Sequence, residues 1–109
     1  MKAVAAQVEV ADMDEMLSIS DRVKQSLGDG AAVLLGAAID GKALLVANLG
    51  PDAMAAGLSA GSIIREVAPI VGGGGGGKPQ MARAGGKDPS KLPEALERAK
   101  AILSAPRGA

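Results

Sequence analysis

The residues of this chain that could do chemistry are concentrated in one glycine-rich stretch. Six consecutive glycines, Gly72 to Gly77, are followed by Lys78, Arg83 and Lys87. Each glycine costs about 0.5–1 kcal/mol relative to alanine in a folded segment. Such a run therefore implies that a ligand or another part of the backbone approaches closely where the side chains are missing. Backbone N–H groups with cations nearby suit a phosphate or a sugar edge. The stretch therefore predicts a surface for a polyanion, and a flexible tether is the alternative.

Two nucleotide-binding motifs fit this stretch poorly. A P-loop needs Ser or Thr after its lysine to hold magnesium, but Pro79 follows Lys78, and the segment before the glycines has the pattern of a helix. The dinucleotide motif G-x-G-x-x-G is met by any six glycines, and the strand and acidic residue that should accompany it are missing. Nucleotide hydrolysis is therefore the weakest hypothesis.

The composition removes most catalytic and metal-binding chemistry. The chain has no Cys and no His, which excludes disulfides, a thiol nucleophile, an imidazole base and the usual zinc ligands. It has no Phe, Tyr or Trp, so bases cannot stack on aromatic side chains. Asp12, Glu15 and Asp40 are explained by helix capping and turn formation. We therefore predict no catalytic residue, no metal site and no cofactor in this chain.

Charge is distributed unevenly along the chain. The net charge is zero, but residues 1–71 carry five basic and nine acidic side chains, and residues 72–109 carry seven and three. The basic half contains the glycines, which favours a polyanionic partner. The segment after Met1 is too polar for a signal peptide and no apolar run approaches ~20 residues, so we expect a soluble, cytoplasmic protein without membrane contact.

The hydrophobic pattern predicts one α/β (α+β) domain over residues 1–109, with helices packed on a mixed β-sheet. The expected order is β-α-β-β-α-glycine loop-β-α, with the glycine-rich loop at 72–86. The elements are a strand from Ala3 to Val10, a helix from Met13 to Leu27 capped by Asp12, strands Ala31 to Ile39 and Lys42 to Leu49 joined at Asp40-Gly41, an undecided segment from Asp52 to Gly57, a helix capped by Ser59, a strand from Met81 to Ala84 and a last helix capped by Ser90.

The run from Gly72 to Gly86, with Lys78-Pro79, Met81-Ala82 and the closing Gly85-Gly86, resembles the C-terminal end of the alanyl-tRNA synthetase family. That family ends in a Gly-Gly-x-Gly-Gly-Gly-Arg/Lys-Pro-x-Met-Ala-x-Ala/Gly-Gly-Gly pattern. The upstream order of elements is similar too, so the resemblance covers nearly the whole chain. It implies a DHHA1-type domain.

In the family, this domain contacts the outer corner of the tRNA, at its elbow, and helps to bring aminoacylation and editing onto one tRNA. The resemblance implies that this chain is a fragment whose partners are tRNA(Ala) and the other domains of the synthetase. It also implies a homodimer in the full-length protein. ATP, magnesium and zinc would belong to domains that this chain lacks, so the fragment alone should catalyse nothing.

The resemblance implies a specific set of tRNA-binding residues, although two positions depart from the family pattern. Gly74 replaces a residue that is often Lys, and Arg83 replaces one that is often Gln. Lys78 stands where related DHH phosphoesterases carry His, which argues against that branch. The implied tRNA-binding residues are Gly72, Gly73, Gly74, Gly75, Gly76, Gly77, Lys78, Arg83, Gly85, Gly86 and Lys87.

Three alternatives remain open at this point. The chain could be a structural module for dimerisation or domain docking, in which the glycines permit close packing. It could also be the DHHA1 domain of a freestanding alanyl-tRNA editing protein or of a DHH phosphoesterase.

Overall fold

The structure, a computed structural model, describes residues 2–104, which form a five-stranded sheet with helices on both faces. The elements in chain order are β1 (Lys2–Gln7), α1 (Met13–Leu27), β2 (Ala31–Ile39), β3 (Lys42–Leu49), α2 (Pro51–Ala55), α3 (Ala60–Val67), β4 (Gly74–Gly77), β5 (Met81–Gly86) and α4 (Leu92–Ser104), with short 3-10 turns at Ala68–Val71 and Pro89–Lys91.

The sheet has the strand order β1-β2-β3-β5-β4. β1 runs parallel to β2, because α1 carries the chain back between them, and the other neighbours pair antiparallel. The prediction of a mixed sheet in a single α+β domain is therefore confirmed. No helix within residues 2–104 is long and apolar enough to cross a membrane.

Local sequence signals fix the ends of α1 and of the β2–β3 hairpin as predicted. The Asp12 carboxylate accepts the Glu15 amide at 2.9 Å, and the Glu15 carboxylate accepts the Ala11 amide at 3.0 Å. Asp40 and Gly41 both have positive φ, at 51° and 76°, as a two-residue hairpin turn requires. Asp12 and Glu15 thus fix the start of α1, and Asp40-Gly41 fixes the turn that sets the register of β2 against β3.

The core has two layers, one on each face of the sheet. α1 packs across β2 and β3 on one face, whereas α3 lies over β3, β4 and β5 and α4 over β1 and β2 on the other. β2 is buried between the layers, as its apolar run predicts. The α1 layer contains Met16, Ala31, Val33, Leu35, Ala37 and Val46, and the opposite layer includes Leu34, Leu45, Leu49, Ile63, Ile64, Val67, Leu92 and Leu96.

Two predicted boundaries are wrong, at the end of β1 and at the start of the last helix. β1 ends at Gln7 rather than Val10. The segment after Gly50, which the sequence left undecided, forms α2. Ser90 does not cap the last helix: it lies inside the 3-10 turn, where its amide donates to the Asp88 carboxylate at 3.1 Å. Asp88 therefore takes the capping role, and α4 begins two residues after Ser90.

The predicted glycine loop at 72–86 is a β-hairpin. Gly74–Gly77 form β4, the edge strand, paired with β5 across a turn at 78–80. Glycine has a poor intrinsic strand preference, so tertiary contacts must hold this strand. Gly61 of α3 supplies one such contact, because a Cβ on Gly61 would lie 2.7 Å from the carbonyl oxygen of Gly77.

We predict that Gly61→Ala lowers the free energy of unfolding by about 1–3 kcal/mol, because the added methyl must push α3 away from the backbone of β4. Ser62→Ala is the matched control, since Ser62 is exposed on the same helix. Thermal unfolding followed by circular dichroism measures both. Equal melting temperatures for the two variants would contradict the close packing of α3 on β4.

Candidate nucleic-acid interface

The glycine-rich hairpin forms one edge of the sheet, and its register decides which residues share a surface. Gly74 pairs with Gly85, and Gly76 pairs with Arg83. Arg83 also pairs with Val46 on its other side, and Val46 belongs to the core layer under α1. Residues paired directly across strands share a face. Gly74, Gly76, Arg83 and Gly85 therefore lie on the face of the sheet that α1 occupies.

We name Gly74, Gly76, Arg83 and Gly85 the open face, because α1 extends over β2 and β3 but not over this edge. Gly74, Arg83 and Gly85 are exposed and Gly76 is half-exposed. In contrast, Ala82 and Ala84 point to the other side and are buried. The open face is therefore a nearly side-chain-free strip of backbone with one arginine on it.

The glycines fall into two physical classes. A Cβ on Gly73 or Gly75 would overlap the backbone of β5, and a Cβ on Gly77 would lie 2.6 Å from the Met81 carbonyl oxygen. A Cβ on Gly86 would likewise overlap Val71. The fold requires glycine at these positions, because β5 and the preceding turn occupy the space.

Gly74, Gly76 and Gly85 form the second class, and a Cβ on Gly76 would make only ordinary contacts with the Arg65 side chain, at 3.8 and 3.9 Å. Gly74 and Gly85 pair with each other across the two strands. A Cβ on Gly74 would meet nothing within 4 Å, and one on Gly85 would make only ordinary contacts at 3.9 Å. Neither residue is in the left-handed region, where glycine would be favoured. Neither the packing nor the backbone conformation of the described residues therefore explains why this cross-strand pair is glycine.

The turn that carries Lys78 is held rigidly against the start of α3. The Ala60 amide donates to the Pro79 carbonyl at 2.8 Å, and the Gly61 amide donates to the Lys78 carbonyl at 3.2 Å. The Lys78 amide closes the turn on the Met81 carbonyl at 2.9 Å. First-turn amides that a helix cannot satisfy internally thus fix the hairpin. The Lys78 side chain itself is exposed.

Two concave regions lie at the two ends of the hairpin. The first, here called the α1 groove, has a volume of about 470 Å³ between α1 and the hairpin. The second, of about 310 Å³, lies where β3 meets the start of the hairpin. The α1 groove is lined by Leu17, Asp21, Gly76, Gly77, Lys78, Gln80, Met81, Ala82 and Arg83, and the second by Lys42, Ala43, Leu44, Gly72, Gly73, Gly85, Gly86 and Lys87.

The structure thus divides most of the predicted binding residues between two regions, and Gly74 and Gly75 line neither of them. Lys78 and Arg83 line the α1 groove, whereas Lys87 lines the second region beside Lys42. Sequence reasoning missed Lys42 and the groove residue Asp21, because only the β3–β5 pairing and the position of α1 bring them to the hairpin. No group of three or more acidic side chains within residues 2–104 is arranged to hold a metal ion.

Comparison with known proteins gives consistent matches along the chain. Residues 1–105 match the DHHA1 domain family. The alanine–tRNA ligase of Pelotomaculum thermopropionicum is 46% identical over 98 residues, which is 90% of this chain and 11% of that ligase. The alanine–tRNA ligase of Desulfitobacterium hafniense is 50% identical over 100 residues, 92% of this chain and 11% of that ligase. The chain therefore spans about a tenth of the length of these relatives.

Solved structures agree with this match. The C-Ala domain from Aquifex aeolicus alanyl-tRNA synthetase superimposes with a TM-score of 0.80 at 30% identity, covering 91% of this chain and 87% of that one. A DHH domain of the s1p family of ribosomal proteins superimposes with a TM-score of 0.52 at 23% identity, covering 79% and 20%. The second likeness concerns the fold alone.

We predict opposite stability effects for neighbouring glycines of β4. Gly75→Ala should lower the free energy of unfolding by about 1–3 kcal/mol, because its methyl overlaps β5. Gly74→Ala should be neutral or stabilising by up to about 1 kcal/mol, since it restricts only the unfolded chain. Thermal unfolding by circular dichroism compares the two. A loss of stability in Gly74→Ala as large as in Gly75→Ala would show that the fold requires both glycines.

Proposed function

The chain belongs to the DHHA1 domain family and corresponds to the C-terminal, C-Ala domain of alanyl-tRNA synthetase, and from this premise we propose that it binds tRNA(Ala) at the outer corner of the L shape. The contact surface is the open face, which includes Arg83, with Lys78 and Lys87 around it. The relatives are alanine–tRNA ligases, and tRNA is the partner that we propose this domain shares with them.

The single observation that carries this proposal is the glycine pair Gly74 and Gly85. Each glycine costs the folded state about 0.5–1 kcal/mol relative to alanine, and the described packing offers no compensation at these two positions. Close approach by another molecule would compensate for this cost. An exposed strip of backbone with cations at both ends fits a phosphate–sugar chain better than it fits an apolar partner.

The chemistry of this surface favours recognition of RNA shape. Without aromatic side chains, the domain has no stacking platform for bases. Its exposed cations contact phosphates, which position a nucleic acid without reading its sequence. A folded tRNA offers such a surface where its two arms meet, and recognition by shape and backbone is common for structured RNA.

Lys78→Ala and Arg83→Ala should each weaken tRNA binding and reduce the slope of log K against log salt concentration by about 1, since each removes one phosphate contact. End-labelled tRNA titrated at several salt concentrations provides the measurement. Lys100→Ala is the control, because Lys100 is an exposed lysine of α4, on the opposite face of the sheet. An unchanged slope in both groove variants would contradict the proposed contact.

The location of the contact on tRNA can be tested with two ligands. Whole tRNA should bind more tightly than a minihelix that lacks the elbow, because only the whole tRNA presents the outer corner. Equal binding of both ligands would remove the elbow from the proposal.

Gly74→Val should separate binding from folding. We expect tRNA affinity to fall about tenfold, equivalent to about 1.4 kcal/mol, because the side chain holds the RNA away from the open face. Stability should be retained, since valine suits a strand and meets no neighbour here. Ala38→Val, at an exposed strand position on the opposite face, is the control. Unchanged affinity in Gly74→Val would leave the glycine pair without a binding role.

In the full-length ligase, this contact would support aminoacylation and editing of one tRNA(Ala). ATP, magnesium and zinc would act in domains outside this chain, and those domains are its other proposed partners. Gly74→Val placed in the full-length ligase should therefore raise KM for tRNA and leave ATP-dependent activation of alanine unchanged. A fall in alanine activation would instead indicate a structural effect.

The second candidate function is docking or dimerisation through α1. Half-buried Ile19, Val23 and Leu27 of α1 line a mainly apolar hollow of about 420 Å³ together with Arg22 and Ser26. An apolar surface of this kind suits another domain of the synthetase or a second copy in a homodimer. Sedimentation of the isolated domain over a range of concentrations tests self-association, and binding of tRNA without dimers would favour the first proposal.

A further inference from the structure

The α1 groove contains a carboxylate in a surface that otherwise suits a polyanion. Asp21 of α1 faces Lys78 and Arg83 of the hairpin across the groove. Its carboxylate is exposed and, within residues 2–104, forms no salt bridge, so its negative charge is not neutralised by a neighbour. A phosphate on that side of the groove would be repelled. This feature requires an explanation if the groove binds RNA, as proposed above.

A buried polar residue fixes the position of this carboxylate. Asn48 of β3 is only 2% exposed, and its side-chain amide donates to the Asp21 carboxylate at 2.9 Å and to the Ser20 hydroxyl at 3.4 Å. Ser20 is fully buried, and its hydroxyl donates to the Leu17 carbonyl at 2.8 Å. Buried amide groups need such partners, so this network ties Asp21 to the interior and restricts its motion.

A carboxylate held in this way accepts hydrogen bonds and cannot donate them. The backbone of RNA offers a single kind of donor, the ribose 2′-hydroxyl, because its phosphate and ring oxygens only accept. DNA lacks this donor, and the 2′-hydroxyl is the group by which proteins distinguish the two. The base edges also carry donors, but the groove has no aromatic platform to hold a base in place.

We propose that Asp21, positioned by Asn48, accepts a hydrogen bond from a ribose 2′-hydroxyl in the α1 groove, while adjacent phosphates contact Lys78 and Arg83. The carboxylate then orients the RNA backbone in the groove, because phosphates are excluded from the α1 side and attracted to the hairpin side. The groove thereby selects RNA over DNA. This inference rests on the proposed function, since it concerns the same tRNA contact.

The test compares tRNA and an all-DNA strand of the same sequence as ligands for the wild-type domain and for two variants. Asp21→Asn retains an oxygen that can accept from Asn48 but removes the charge and presents an amide to the groove. Asp21→Glu keeps the charge and moves the carboxylate by one methylene. The same two ligands are used throughout, so differences in their shape cancel when the affinity ratios are compared between proteins.

The ratio of tRNA to DNA affinity should fall about tenfold in Asp21→Asn, the effect of one hydrogen bond to a charged group. It should also fall in Asp21→Glu, which leaves the salt dependence unchanged. Glu94→Gln is the control, because it removes one exposed acidic charge from α4 on the opposite face. Circular dichroism melts identify any variant that fails to fold.

Three results would overturn the inference. Tighter binding of both ligands by the same factor in Asp21→Asn would mean that the carboxylate only repels phosphate. Weaker binding of both by the same factor would assign it to a base edge, and unchanged affinities for both ligands would remove it from the contact. Failure of the proposed function is distinguishable, because the wild-type domain would then show no salt-sensitive tRNA binding at all.

Discussion

The arrangement of this domain depends on the backbone contact between the start of α3 and the glycine hairpin. The amides of Ala60 and Gly61 donate to the carbonyls of the hairpin turn, and the missing side chain of Gly61 lets the helix approach the Gly77 carbonyl. A helix leaves its first amides without internal partners, and here the turn provides them. This contact holds a strand of four glycines in the sheet, although their own preference for strand structure is low.

Much of the fold was predictable because local signals agree with the tertiary structure. The Asp12 cap, the Asp40-Gly41 turn and the apolar run of β2 each specify their element without reference to distant residues. The wrong predictions concern segments whose conformation local signals do not specify. β4 was predicted as a loop, since nothing local favours a glycine strand, and only α3 and β5 determine its conformation. Before α4, Ser90 was predicted as the cap, but a 3-10 turn precedes the helix and Asp88, two residues earlier, caps that turn.

The residues of the candidate site that belong to the glycine motif were predictable from the sequence, whereas those that other elements contribute were not. The glycine run and its cations are contiguous in the sequence, so Lys78 and Arg83 could be proposed from the motif. Asp21 and Lys42 come from elements distant in the chain, and the sheet order brings them to the hairpin. The sequence also could not separate glycines that the fold needs from glycines that leave free space. That distinction depends on the strand register, which places Gly75 against β5 and leaves Gly74 open.

Placing β4 at the edge of the sheet has a consequence for solubility. An edge strand exposes unpaired backbone groups that can recruit strands from other molecules, and long apolar edges are therefore prone to aggregation. β4 is only four residues long and has no side chains that could interlock with an incoming strand. The positively charged Lys78 follows it directly, and lysine at an edge discourages pairing between copies. β4 can thus remain exposed at the edge of the sheet without pairing with the edge strand of another copy.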